Sequence, residues 1–134
     1  MELNDSGLQV ISTYEYMWRW NITGASHNYV KCYHVIDGNK NIIVGGYSVG
    51  NNTRSGHARF TRKMDAMAWI QGYNDYLNGK SGLTYIRNGE ERPDLDAGEV
   101  YAKSIGKRFD RTLISEYVAG INNALKLKFK TNVV

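Results

Sequence analysis

From Tyr14 to Ile22 aromatic residues recur at every second position, with Tyr14, Tyr16, Trp18, Trp20 and Ile22 on one parity and Glu15, Met17, Arg19 and Asn21 on the other. A period of two is that of a β-strand, whose successive side chains point to opposite faces. Thr23-Gly24-Ala25-Ser26 then supplies turn-forming residues, and alternation resumes over 28–36. In this second strand Tyr29, Lys31, Tyr33 and Val35 share one face, and Val30, Cys32, His34 and Ile36 the other. Asp37-Gly38-Asn39-Lys40 reads as a tight hairpin connection, because Asp-Gly tolerates the positive φ such turns demand. A third strand is expected over 41–49, weakened by Gly45-Gly46, which marks a bulge or a close backbone approach. A polar loop, 50–59, follows.

The period lengthens after that loop. Thr61 is an expected N-cap for a helix through Asn78, with Ala66, Ile70, Tyr73 and Leu77 at helical spacing, Trp69 and Tyr76 beside them, and Gly79 as the stop signal. The aromatic row of the first strand is expected to form core against Trp69 and Tyr73 of this helix. Left exposed, the same row would make a base-stacking platform or an interface. Leu83 to Ile86 reads as a short strand and Asn88-Gly89 as a turn, but the polar Glu90-Glu91-Arg92-Pro93 predicts a ragged hairpin or loop. A short helix is expected from Asp94 to Ile105, with Ala97, Tyr101 and Ile105 in register. A firmer one is capped by Asp110 and carries a stripe of Ile114, Tyr117, Val118, Ile121 and Leu125. The fold class expected is therefore α+β: an antiparallel three- to four-stranded sheet packed against a central helix, followed by a C-terminal helical pair, in a single domain over 1–134.

Composition narrows the class. With 134 residues and 42% hydrophobic content the chain suits one hydrophobic core. Cys32 is the only cysteine, which rules out an intramolecular disulfide and favours a reducing compartment. The first residues lack the basic and apolar regions of a secretory leader, and no apolar run approaches the roughly 18 residues of a membrane span. A cytoplasmic protein without membrane contact is expected. The sequons Asn21-Ile22-Thr23 and Asn51-Asn52-Thr53 then read as turn chemistry.

Charge changes the picture more than composition does. The net charge is +4, and residues 101–134 alone carry seven Lys/Arg against two Asp/Glu. A local excess of this kind attracts polyanions. Two groups of cations stand out. Arg54, His57, Arg59, Arg62 and Lys63 surround the start of the first helix, where backbone N–H groups add positive potential. Lys107, Arg108 and Arg111, with Lys126, Lys128 and Lys130 beyond them, make up the basic C-terminal region. Ala102-Lys103-Ser104-Ile105-Gly106 followed by Leu113-Ile114-Ser115-Glu116-Tyr117-Val118 partly resembles a helix-turn-helix, although its turn is about two residues too long. The competing reading is an ordinary helix pair closing the core.

Other chemistry is thin. Cys32 and His34 share a strand face with Val30 and Ile36, and no second ligand pair accompanies them, so a buried thiol and a hydrogen-bonded histidine are expected rather than metal. The run from Gly45 to Gly50 lacks the Lys-Ser/Thr of a phosphate loop. Asp94, Asp96 and Glu99, with His57, offer carboxylates for a hydrolase or nuclease, but they also suit a helix start. The reading taken is a small non-enzymatic protein that binds nucleic acid or a nucleoprotein complex through its basic loop and C-terminal region, with no cofactor and no metal. The alternative is an interaction protein of phage or mobile-element type that inhibits a host protein complex or sequesters a small anionic ligand. Homo-oligomer formation stays open.

Overall fold

The computed structural model describes residues 7–21, 24–39, 42–44, 60 and 62–132, with backbone alone at 15–21, 24–30, 42–44 and 128–132. Over these described residues the fold is α+β, with two antiparallel sheets and three helices. The order is β1 (Gln9–Asn21), β2 (Gly24–Ile36), β3 (Ile42–Val44), α1 (Lys63–Leu77), β4 (Thr84–Arg87), β5 (Glu90–Pro93), α2 (Leu95–Ser104) and α3 (Arg111–Asn132). Two compact units result, one of residues 9–63 and the other of residues 1–8 and 64–134.

The first unit is the sheet β1-β2-β3. β1 and β2 pair along 13 residues each, from Gln9 opposite Ile36 to Asn21 opposite Gly24. Gly24, Ala25 and Ser26, expected in a turn, are therefore paired strand. A continuous backbone ladder overrides the weak turn preference of single residues, since strand propensity depends mainly on context. β3 joins β2 through Val44 opposite Val35 and Ile42 opposite Ile36, with a register shift between these pairs. The rest of the expected third strand, and the loop 50–59, lie outside the described residues. Phe60 adds a bridge: its carbonyl accepts from the Tyr33 N–H at 2.8 Å and its own N–H donates to the Tyr33 carbonyl at 3.0 Å.

Cys32, His34, Val35, Ile36 and Phe60 are buried. His34 Nε2 and Thr13 Oγ1 share a hydrogen bond of 2.8 Å, which satisfies one nitrogen of a polar ring that burial would otherwise penalise. Cys32 and His34 are thus packing residues, and among the described residues no group of three or more His, Cys, Asp or Glu is placed to hold a metal ion. The aromatic row departs from expectation at its described end. Tyr14 is 66% exposed rather than in the core.

The second unit is organised around α3. Leu113, Ile114, Tyr117, Ile121, Ala124 and Leu125 are buried along it, which matches the expected stripe apart from the half-buried Val118. α1 and α3 meet through reciprocal glycines. A Cβ at Gly72 would lie 2.1 Å from the Tyr117 carbonyl oxygen, and one at Gly120 would lie 2.0 Å from the Trp69 carbonyl oxygen. Because both contacts are backbone, the helices can approach this closely only without side chains there. The same device recurs in α2, where a Cβ at Gly98 would lie 2.7 Å from the Ile114 carbonyl oxygen. Hence α3, and not α1, is the central helix of this unit.

Glycine contact also explains why the buried face of α1 keeps Ala66 and Trp69 of the expected stripe and its flank but turns from Ile70, Tyr73 and Leu77 toward Ala68, Gly72 and Asp75. Its buried residues are Asp65, Ala66, Ala68, Trp69, Gly72 and Asp75, while Leu77 reaches the surface. β4 and β5 form a regular hairpin of their own, not a fourth strand of the first sheet. Asn88 and Gly89, with φ of 53° and 81°, make the expected turn. The Glu91 carboxylate ties this hairpin to α1, accepting from Thr84 Oγ1 at 2.7 Å and Tyr76 OH at 3.1 Å. Among the described residues no helix is long and apolar enough to cross a membrane.

Candidate functional site

The site is built by the connection between α2 and α3. Asp94 opens α2, its carboxylate accepting from the Asp96 N–H at 3.0 Å. At the other end Gly106, with φ +77°, gives its N–H to the Lys103 carbonyl at 3.1 Å, and the Lys107 N–H returns to the Ala102 carbonyl at 2.8 Å. This paired closure, with a left-handed residue just past the helix, reverses the chain abruptly. Asp110 then caps α3: Oδ1 accepts from the Leu113 N–H at 3.1 Å and its carbonyl from the Ile114 N–H at 3.0 Å. Between these two fixed ends Lys107, Arg108 and Phe109 are held outward.

Phe109 is 81% exposed, and the Arg108 guanidinium lies over its ring at 4.8 Å from the centroid. Lys103, Lys107 and Arg111 are exposed and form no ion pair among the described residues. Arg108, Phe109 and Arg111, with Leu95, Glu99 and Ile114, border a groove of about 370 Å³. A neighbouring hollow of about 620 Å³ adds Asp96, Val100 and Lys103. The rim of these depressions is cationic along the turn and acidic at Asp96 and Glu99 on α2. An aromatic plate flanked by unpaired cations can stack a planar ring and neutralise a phosphate at once.

The predicted cations are distributed as follows. Lys107, Arg108 and Arg111 come together on the turn. Arg62 is half-buried and Lys63 exposed at the start of α1, while Arg54, His57 and Arg59 lie outside the described residues. Lys126 is exposed on α3, 15 residues beyond Arg111 and so about 22 Å away along the helix. Lys128 and Lys130 of the basic C-terminal region continue the same helix. Lys103 and Phe109 were missed, because a single exposed aromatic in a turn carries no periodic signal. Asp94, one of the three carboxylates considered for acid–base chemistry, is committed to the cap of α2. α3 is pressed at Gly120 by α1 and at Ile114 by α2, while Arg111, Thr112, Ser115, Asn123 and Lys126 along it stay exposed.

A polar network centred on the buried Asp75 joins α1 and α3. Tyr117 OH donates to Asp75 Oδ2 at 2.6 Å, Gln71 Nε2 donates to Asp75 Oδ1 at 2.8 Å, and Lys80 Nζ stands 3.7 Å from Oδ2. Tyr101 stacks on Tyr117 with centroids 4.6 Å apart. Burial first, then the hydrogen bond to Asp75 and its charge, push the Tyr117 hydroxyl far above its ordinary range, so it serves as a permanent donor linking α3 to α1. The network positions the helices that carry the turn.

Glu116 on α3 behaves differently. Burial and, secondarily, the charge of Asp65 on α1 raise its carboxyl from 4.5 to about 7. The folded chain therefore holds this proton more tightly than the unfolded chain, and the associated stability is complete below about pH 4.5 and lost as pH rises through 7. Glu116→Gln should remove this dependence: it should stabilise the protein by about 2 kcal/mol at pH 8 and change little at pH 4.5, measured by urea unfolding. An equal effect at both values would contradict it.

Comparison of the chain with family models, with curated proteins and with solved structures gave no match.

Proposed function

We propose that the protein is a small non-enzymatic nucleic-acid-binding protein, and that the α2–α3 turn is its phosphate contact. The observation that carries this reading is the group of outward cations, Lys103, Lys107, Arg108 and Arg111, around the exposed Phe109. Polyanion recognition needs cations not committed to internal carboxylates, and this turn supplies them. Glu99 and Asp96 bound the same hollows on the α2 side. Arg54, His57, Arg59, Arg62 and Lys63 remain part of the proposed contact in the other unit. Arg108 and Arg111 suit bidentate phosphate pairing better than lysine, because the guanidinium presents a planar fork of donors.

Fluorescence anisotropy with labelled oligonucleotides tests the proposal. Affinity should fall along a straight line in log Kd against log salt between about 50 and 200 mM, since each neutralised phosphate releases counterion. A flat line would overturn the reading. One observation favours a second reading, an interaction protein that inhibits a partner complex: Leu95, Val100 and Phe109 expose apolar surface on the same side of α2 and the turn. A stoichiometric protein complex that survives nuclease would support it.

A further inference from the structure

The proposed function leaves the long β1–β2 ribbon without a role. Its register places Tyr14 opposite Lys31, Tyr16 opposite Tyr29, Trp18 opposite His27 and Trp20 opposite Ala25. Directly opposed residues of an antiparallel pair share a face, as do alternate residues of one strand. These positions, with Tyr33, therefore share one face that carries six Tyr and Trp residues on alternating positions, one lysine, one histidine and no carboxylate; Glu15 belongs to the opposite face. At its described end this face is open, since Tyr14 and Lys31 are exposed. Lys31 Nζ stands 5.8 Å from the centroid of the Tyr33 ring. Further along the same face Tyr33 is half-buried and Val35 buried, and the opposite face buries Cys32 and His34, so the open stretch begins at Tyr14 and Lys31.

Chemistry and spacing select one occupant. Residues i and i+2 of a strand are about 6.8 Å apart, twice the roughly 3.4 Å per nucleotide of a stacked DNA strand. Bases meeting successive rings must be splayed apart, which an extended single strand permits and a duplex does not. The single fixed cation and the lack of any acid on the face suit a polyanion. We infer that the Tyr14/Tyr16/Trp18/Trp20 face of the β1–β2 hairpin is a stacking platform for single-stranded nucleic acid. The inference rests on the nucleic-acid reading above and assigns its substrate class.

The test uses the full chain, a labelled oligothymidylate of about 12 nucleotides and a duplex of the same length. The single strand should bind at least about tenfold tighter than the duplex. Tyr14→Ala should weaken single-strand binding at least about fivefold, and Tyr14→Phe should retain it, because a ring and not a hydroxyl provides the stacking. Both substitutions fall at an exposed position, and unchanged thermal unfolding confirms the fold. Hairpin stacking should also quench tryptophan emission, since Trp69, the tryptophan outside this hairpin, is buried.

If oligonucleotides bind but Tyr14→Ala has no effect on either, the platform is refuted while the phosphate-binding turn stands. If neither oligonucleotide binds, both readings fall. A concentration-dependent dimer dissolved by Tyr14→Ala would make the face a contact between copies of the chain and overturn the proposal.

Discussion

Gly120→Ala should destabilise the protein by about 2 to 3 kcal/mol and lower its Tm by roughly 10 °C. Two effects oppose one another. Alanine is intrinsically the better helix former, by about 1 kcal/mol. Against this, the added methyl would sit 2.0 Å from the Trp69 carbonyl oxygen and 2.9 Å from its carbon, atoms that no rotamer change can move. The helices must separate, and the buried contacts of Trp69, Tyr117 and Ile121 loosen together. The Tyr117–Asp75 hydrogen bond, at 2.6 Å, would stretch with them. Gly72→Ala meets the Tyr117 carbonyl in the same way and should cost a similar amount. Gly38→Ala, with nothing within 4 Å, should fall within about 0.5 kcal/mol of the parent. Thermal unfolding of the three variants decides the matter, and a neutral Gly120→Ala would contradict the close helix crossing.

These glycines also show where sequence reading stops. Hydrophobic periodicity identified the buried stripe of α3, because Ile114, Tyr117, Ile121 and Leu125 are large and apolar. It placed only part of the buried face of α1: Ala66 and Trp69 are buried as expected, but the rest of the contact is made by Ala68, Gly72 and the hydrogen-bonded Asp75, which carry little or no apolar signal. Local chemistry was more legible than packing. Asp94 and Asp110 cap helices, Asn88-Gly89 turns a hairpin and Gly106 ends α2, each because one residue satisfies a backbone need on its own. The first hairpin is the counterexample: Gly24 and Ser26 resemble turn residues, but pairing across the whole ribbon claims them as strand. Of the candidate site, the cations Lys107, Arg108 and Arg111 were readable from charge alone. That Phe109 stands among them under Arg108, and that Lys126 sits far along α3, required the fold.

The turn leads to the second prediction. Replacing Lys107, Arg108 and Arg111 together by glutamine should weaken oligonucleotide binding by about 30- to 100-fold near 0.1 M salt, with no loss of stability. All three side chains are exposed and form no ion pair among the described residues, so folding does not depend on their charge. If each contacts one phosphate, their removal lowers the number of counterions released by three. The expected change in slope is about 0.7 per contact for a single strand and 0.9 for a duplex. Phe109→Ala, which keeps every charge, should lower affinity while leaving the slope unchanged.

Parallel salt titrations of the parent and of Lys107→Gln/Arg108→Gln/Arg111→Gln are thus the most direct measurement of whether this turn grips phosphate. The account predicts a log Kd against log salt line shallower by about 2 to 3 for the triple variant. Two lines of equal slope and equal affinity would contradict it.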